Sequence, residues 1–214
     1  MDTTAIDHLL STTPAVRLRL DLERDVEPEV LAECLRLALH APTPRSTPTW
    51  RWLVVRDPDL RRRVGALFRE VGTDYLRRKV AATGEAARHG ALARAIASAQ
   101  HLVDVIDRVP VFVIPCVLGR PQGDNAADAV LYGGIFPAVW SFQLALRARG
   151  LGSTLTTYHL EREAEAAAIL GIPDDVTQVA LLPVAYATTT DFKPVRRGPL
   201  EEVAHLDTWG APLR

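Results

Sequence analysis

The feature that most constrains the fold is a long uncharged stretch in the second half of the chain. Between Ala129 and Leu146 no residue is charged. The pattern predicts one helix over residues 128–149, because Arg147 suits its negative C-terminal end and Gly150 ends it. A helix that is apolar on all sides is buried. We therefore expect this helix to lie in the centre of a domain or at a subunit interface.

Helical and strand patterns occupy the rest of the chain. Runs of β-branched and aromatic residues predict four strands, over residues 50–55, 110–118, 153–157 and 176–187. Helical spacing and N-terminal signals predict further helices that start near residues 3, 28, 58 and 161, with one or two more between 71 and 107. The helical segments cluster between the first two strands, which favours an α+β fold over a doubly wound sheet.

The C-terminal segment has no clear core element of its own. It contains Leu200, Val203, Leu206 and Trp209 among several prolines. A tail of this length and composition is expected to lie on another surface. We predict one domain over residues 1–214, with residues 188–214 as an extension that docks on a partner subunit.

The composition excludes several kinds of partner. Lys plus Arg is 25 and Asp plus Glu is 26, so no basic excess indicates nucleic-acid binding. No stretch reads as a run of about 18 apolar residues that would span a membrane, and the N-terminus lacks a basic signal region. Cys34 and Cys116 are interpreted as free, buried thiols in a reducing compartment. We expect a cytoplasmic protein without nucleic-acid or membrane partners.

Common catalytic and cofactor motifs are absent. The chain has neither GxGxxG nor GxxxxGK[ST], and no Ser/His/Asp order can be defended. Its six histidines show no metal-ligand spacing with cysteine or acidic residues. We therefore expect no metal site.

Four groups of short segments form one ordered set of motifs. They lie at residues 13–20, at 35–43 with 50–55, at 136–142 with 148–153 (FPAVWSF and ARGLGS), and at 170–173, 182–186 and 196–203 (LGIP, LPVAY and RRGPLEEV). Together they span nearly the whole chain, and the third group is the most specific. In this order they resemble the nitroreductase family of FMN enzymes.

The resemblance implies both a fold and a reaction. The fold is a central, mostly antiparallel sheet of four to five strands between helices. It forms an intertwined homodimer with two FMN sites at the interface. The reaction is ping-pong: NAD(P)H gives a hydride to the flavin, which then reduces a nitro group, a quinone or another small organic acceptor. Flavin carries the redox chemistry, and the protein supplies position and charge.

The resemblance also assigns cations to the anionic parts of FMN. Arg17 matches the basic residue that ends the first motif, and Arg19 is a weaker candidate beside it. If residues 17–19 are extended, period-two spacing turns both arginines the same way. Arg196 and Arg197 match the C-terminal basic pair at the phosphate. Such cations suit a phosphate and a pyrimidine edge that gains charge on reduction.

Other positions match the parts of the family's site that surround the flavin ring. Leu155, Thr156 and Thr157 correspond to backbone near flavin N5, where N–H groups make the contacts. The remaining matches are loop residues Thr43, Arg45 and Ser46, the back-face residues Pro137 and Ala138, and the substrate-side candidates Tyr158 and His159. For each of these residues a purely structural or surface role is the alternative.

The chain also departs from the family pattern. Pro14 and Ala15 stand where the family usually has Arg and Ser, and Ser46 and Pro48 stand where its flavin loop has Asn and Gln. Proline offers neither a side-chain amide nor an N–H group. Four lost hydrogen bonds of about 1 kcal/mol each weaken FMN binding by roughly 10²- to 10³-fold.

Two functions follow from these gains and losses. The first is an FMN-dependent NAD(P)H oxidoreductase with a remodelled pocket. The alternative is a flavin-poor or flavin-free homologue, acting as a dimeric protein that binds or sequesters a small molecule. Arg17, Arg196 and Arg197 favour the first, whereas Pro14, Ala15, Pro44 and Pro48 favour the second.

Overall fold

The computed structural model describes residues 2–44, 49–195 and 197–213, apart from the side chain of Arg88. The chain forms two compact units. The larger spans residues 15–190, and the smaller combines residues 1–14 with residues 191–214. The prediction of one domain with a docking segment at 188–214 stays a prediction.

Helices and strands follow one another in an α+β order. The described residues form helices α1 (Thr3–Ser11), α2 (Pro28–Ala38), α3 (Pro58–Thr83), α4 (Gly90–Val105), α5 (Asn125–Ala148) and α6 (Glu163–Leu170). The strands are β1 (Trp50–Val55), β2 (Val111–Leu118), β3 (Leu151–Ser153), β4 (Val176–Gln178) and β5 (Leu182–Tyr186). The predicted starts of α1, α2 and α3 are confirmed. Asp57 caps α3 by accepting from the N–H groups of Asp59 and Leu60.

The five strands form one antiparallel sheet, as predicted. Its order is β1-β2-β5-β3, and β4 pairs with the far end of β2. Strand β2 pairs with β1 from Phe112 to Val117, with Trp50 opposite Val117 and Val55 opposite Phe112. Its residues are buried from Val111 to Val117, and α5 packs against it. The expectation of an α+β fold with a mostly antiparallel sheet is confirmed.

Two strand predictions need correction at the same place. Residues 176–187 form two strands instead of one, and the predicted strand at 153–157 ends at Ser153. The break between β4 and β5 is a bulge, because Val179, Ala180 and Leu181 lie opposite only Ile114 and Pro115 of β2. Beyond Ser153 the pairing with the β5 side is reduced to one bridge, in which Thr156 and Leu181 exchange backbone hydrogen bonds of 3.0 and 2.8 Å.

Helix α5 is confirmed, but it starts earlier and is less buried than expected. One side packs into the core through Ile135, Val139 and Phe142. On other faces Phe136 is 39% exposed and Trp140 is 40% exposed. By length and composition α5 passes as a membrane span, the one such helix in the described part of the chain. Core helices of soluble proteins pass the same test, so the expectation of an interface helix is retained.

The smaller unit buries little apolar surface. Helix α1 has no buried residue, although Asp2 caps it through the N–H of Thr4. In the tail the N–H of Leu213 donates to the carbonyl of Ala204, which closes a turn around residues 204–213. Trp209 in this turn is 93% exposed. An exposed tryptophan on an ordered turn agrees with the predicted docking role without testing it.

His159 is fully buried in the larger unit. Neither ring nitrogen has a hydrogen-bond partner among the described residues. Burial lowers the pKa of His159 to about 4, and the carboxylate of Glu163 opposes this shift only in part. The side chain is therefore neutral at pH 7 and offers no surface to a substrate. This burial does not favour the predicted substrate-side role of His159.

The close approach of β3 and the segment before Arg17 depends on Gly152. A Cβ atom at position 152 would lie 2.8 Å from Cγ1 and 2.9 Å from Cβ of Val16. The N–H of Val16 also donates to the carbonyl of Ser153 at 2.9 Å. Packing and hydrogen bonding together fix the backbone immediately before Arg17.

We expect Gly152→Ala to lower the free energy of unfolding by about 1–3 kcal/mol, because the added methyl group overpacks the contact with Val16. Urea unfolding measures the loss. In a Val16→Gly background the same change should cost much less, because both the Cγ and the Cβ atoms that oppose the added methyl group are gone. Equal costs in the two backgrounds would show that this contact is not tight.

His159 should make stability depend on pH. The unfolded chain takes up a proton near its ordinary pKa of 6.5, whereas the folded protein does so near pH 4. Stability is therefore fully present above pH 6.5 and falls by about 3 kcal/mol as the pH drops to 4. His159→Leu should flatten this slope in urea unfolding measured across that range. An unchanged slope in the variant would contradict the assignment.

Candidate functional site

A small cavity brings together predicted site residues from distant parts of the chain. It has a volume of about 120 Å³ and contains Arg17 and the turn from Leu155 to Tyr158. Ala99 and Leu102 of α4 close one side. The cavity is therefore lined by Arg17, the cation predicted from the first motif. It is also lined by residues 155–157, the turn predicted to lie near the flavin.

Arg17 is half-buried and has no counter-ion. No ion pair or hydrogen bond joins its guanidinium to another residue in the described ranges. Burial lowers the pKa of Arg17, and the nearby hydroxyl of Tyr158 raises it slightly. A buried charge without a partner is costly. The position therefore favours an anionic or electron-rich group from outside the protomer.

The turn beside Arg17 offers two backbone donors. Both the N–H and the hydroxyl of Thr156 donate to the carbonyl of Leu181, at 3.0 and 2.6 Å. Thr156 is therefore not a donor to a ligand, although it was predicted with its neighbours. The N–H groups of Leu155 and Thr157 have no acceptor within the described part of the chain.

Tyr158 is held firmly at the mouth of this cavity. Its ring lies 5.1 Å from the ring of Phe68 and 5.4 Å from that of Tyr75, between ring centroids. A Cβ atom at Gly72 would lie 2.8 Å from its Cδ2 atom. The second cavity, of about 430 Å³, adjoins the first at Thr157 and Tyr158.

Sequence reasoning missed the contribution of α3 to this site. Tyr75 lines the second cavity, and Gly72 makes room for the ring of Tyr158. Neither residue belongs to a motif, and helical spacing only marks them as part of an amphipathic helix. Their role depends on how α3 packs against the turn after residue 157, which no local pattern reveals.

The start of the predicted flavin loop lies at a separate cavity. Thr43, Pro44 and Trp50 line a space of about 510 Å³ beside the first turns of α5. Of the lining residues that the structure describes, none is shared with the Arg17 cavity. One protomer therefore does not bring Thr43 and Arg17 together. Arg45 and Ser46 lie outside the described residues.

The charged groups of this larger cavity already have partners. The guanidinium of Arg120 donates to both carboxylate oxygens of Glu163, at 2.8 Å each. This pairing holds the pKa of Glu163 below its ordinary value. Asp128 accepts from the N–H groups of Gln122 and Gly123. The larger cavity thus contains no uncompensated charge comparable to that of Arg17.

Other predicted site residues are not in this cavity. Residues 17–19 form a bend and a turn instead of an extended segment, so Arg19 is exposed and does not share the surroundings of Arg17. Ala138 is fully buried in the core and offers no surface to a cofactor. Pro137 is partly exposed on α5. Arg197 is exposed in the smaller unit, and Arg196 lies outside the described residues.

The cysteines and acidic residues show no further chemistry. Burial raises the pKa of Cys116 to about 12 and also raises the pKa of Cys34, so both thiols are protonated at pH 7. Across residues 2–44, 49–195 and 197–213, no group of three His, Cys, Asp or Glu residues could hold a metal ion.

Solved structures with the same fold include flavoproteins. Iodotyrosine deiodinase bound to FMN and 3-iodo-L-tyrosine matches with a TM-score of 0.67 and 20% identity, over 95% of this chain and 98% of that one. A nitroreductase-like protein from Bacillus cereus has a TM-score of 0.65 and 20% identity, over 94% and 95%. B. megaterium NfrA2 has a TM-score of 0.69 and 16% identity, over 95% and 74%.

These structural similarities establish the fold. They establish nothing more specific, because all three sequence identities are below 25%. The family model is more specific, since it matches residues 14–186 and so covers most of the chain. It includes β1 to β5, helix α5, Arg17 and the turn at residues 155–157. The chain belongs to the nitroreductase family.

Proposed function

We propose that this protein is an FMN-dependent oxidoreductase that passes reducing equivalents from NAD(P)H to a small organic acceptor, such as a nitro compound or a quinone. The uncompensated, half-buried guanidinium of Arg17 carries this proposal. Family membership supports a flavin oxidoreductase in general. When bound, FMN would supply the hydride chemistry by a ping-pong sequence.

The residues of the Arg17 cavity fit the chemistry of a flavin. Arg17 supplies positive charge where the pyrimidine edge of a flavin gains negative charge on reduction. Leu155 and Thr157 supply N–H donors that have no internal acceptor in the described structure. These groups lie on a turn fixed by the Thr156–Leu181 bridge, so they need little rearrangement to bind a ligand.

We also propose that the complete site forms across a homodimer. Thr43 and Arg17 line separate cavities in one protomer, which agrees with a flavin loop that serves the partner's Arg17. The exposed apolar residues Phe136 and Trp140 of α5 supply a surface for such an interface. The roles of Arg45, Ser46, Arg196 and Arg197 at the cofactor, and docking of residues 188–214, belong to this proposal.

The second candidate is a flavin-poor or flavin-free dimer that binds or sequesters a small molecule. It is favoured by Pro14 and Ala15, which replace a guanidinium and a hydroxyl of the family pattern. The range of relatives gives no substrate for this chain, since one of them is a deiodinase with bound 3-iodo-L-tyrosine. A cytoplasmic location without nucleic-acid partners is proposed for either function.

Arg17→Gln should weaken FMN binding by roughly 10- to 100-fold, because a charge-assisted hydrogen bond to the cofactor is lost. Fluorescence titration of the apoprotein with FMN measures the change. Arg62→Gln is the matched control, since Arg62 is exposed on α3 and pairs with Asp59. This control should bind FMN as the wild type does.

Two results would contradict the proposed function. A wild-type protein that shows no saturable binding at millimolar FMN would favour the flavin-free candidate. Equal FMN affinity in Arg17→Gln and the wild type would remove Arg17 from the site.

A further inference from the structure

We propose that the phenol hydroxyls of Tyr158 and Tyr75 donate hydrogen bonds to the pyrimidine carbonyls of FMN. They would replace the side-chain amides that this chain lacks at Ser46 and Pro48 of the flavin loop. The inference rests on the proposed function, because it assigns further ligands to the same cofactor.

The first argument is position. Tyr158 directly follows the turn that carries the free N–H groups of Leu155 and Thr157. It lines the small cavity with Arg17 and also the adjoining cavity with Tyr75. A ligand that reaches Arg17 therefore has the Tyr158 phenol beside it, and Tyr75 next along the same opening.

The second argument is fixed geometry. Phe68 and Tyr75 pack against the ring of Tyr158, with tilts of 56° and 42°. Gly72 of α3 lets the ring lie so close to the helix that a Cβ atom would collide with it. The ring is thus held in place without help from its hydroxyl. Such rigid support is what a preorganised hydrogen-bond donor needs.

The third argument is that both hydroxyls are unused. Neither the Tyr158 nor the Tyr75 hydroxyl has a hydrogen-bond partner among the residues that the structure describes. By contrast, the hydroxyl of Tyr186 donates to Glu27 at 2.6 Å. Tyr158 is half-buried and Tyr75 is exposed at the adjoining cavity, so both hydroxyls are open to an external acceptor.

The fourth argument is charge. Burial raises the pKa of Tyr158, the neighbouring Tyr75 hydroxyl raises it further, and Arg17 opposes the shift. Tyr158 is therefore a neutral donor at pH 7, close enough to Arg17 and Tyr75 to interact electrostatically with both. One cation and two phenol donors complement carbonyl oxygens that gain negative charge when a flavin is reduced.

The test removes one hydroxyl at a time and keeps each ring. Tyr158→Phe and Tyr75→Phe are compared with Tyr132→Phe, a partly buried tyrosine that packs on the core. FMN affinity is measured by titration of the apoprotein, and the midpoint potential by dye-coupled reduction. Thermal melting checks that each variant is folded.

We expect Tyr158→Phe and Tyr75→Phe to raise the Kd for FMN by about 3- to 10-fold each, with a larger effect for Tyr158. Both should make the midpoint potential more negative, because the lost donors stabilise the reduced form most. Tyr132→Phe should change neither quantity.

Three outcomes would overturn the inference. If the wild type does not bind FMN, the proposed function fails and the inference fails with it. If the wild type binds FMN but both phenylalanine variants keep its Kd and potential, only the inference fails. If only the KM for the acceptor rises, the phenols contact the acceptor and not the cofactor.

Discussion

The guanidinium of Arg17 is partly buried, and no carboxylate among the described residues pairs with it. Much of the surrounding architecture serves to keep it there. Val16 packs on Gly152 and donates to Ser153, which fixes the chain immediately before the arginine. By contrast, the partly buried guanidinium of Arg61 donates to the backbone carbonyls of Asp107 and Val109, at 3.1 and 2.6 Å. The exception at Arg17 is best explained by a ligand that brings negative charge or electron-rich oxygens.

The bridge between Thr156 and Leu181 links the fold to this site. It lies in the same register as the pairing of β3 with β5 and holds Thr156 beside the start of β5. The same bridge consumes the donors of Thr156 and leaves those of Leu155 and Thr157 unpaired. A local irregularity in an otherwise regular antiparallel sheet thus creates the donor pair beside Arg17. Irregular backbone of this kind is common where a scaffold presents a binding site.

Elements with strong local signals could be predicted from the sequence, and features made by packing could not. Asp57 and the run at 50–55 marked α3 and β1 correctly because caps and strand formers act locally. The split of residues 176–187 depends on a bulge opposite Ile114 and Pro115 of β2, which no local pattern contains. At the site, family motifs pointed to Arg17 and the turn, but Tyr75 and Gly72 depend on how α3 packs. Ala138 belongs to the same motifs, but its side chain packs in the core.

We propose that the cofactor site is complete only when two copies of the chain meet through α5. The most direct measurement is sedimentation velocity combined with FMN titration of Trp140→Glu, with Val80→Glu on α3 as a control of similar exposure. If two protomers share the site, Trp140→Glu should be a folded monomer without saturable FMN binding. Val80→Glu should remain a dimer that binds FMN. A folded Trp140→Glu monomer that binds FMN as tightly as the wild type would contradict it, because the site would then be complete within one chain.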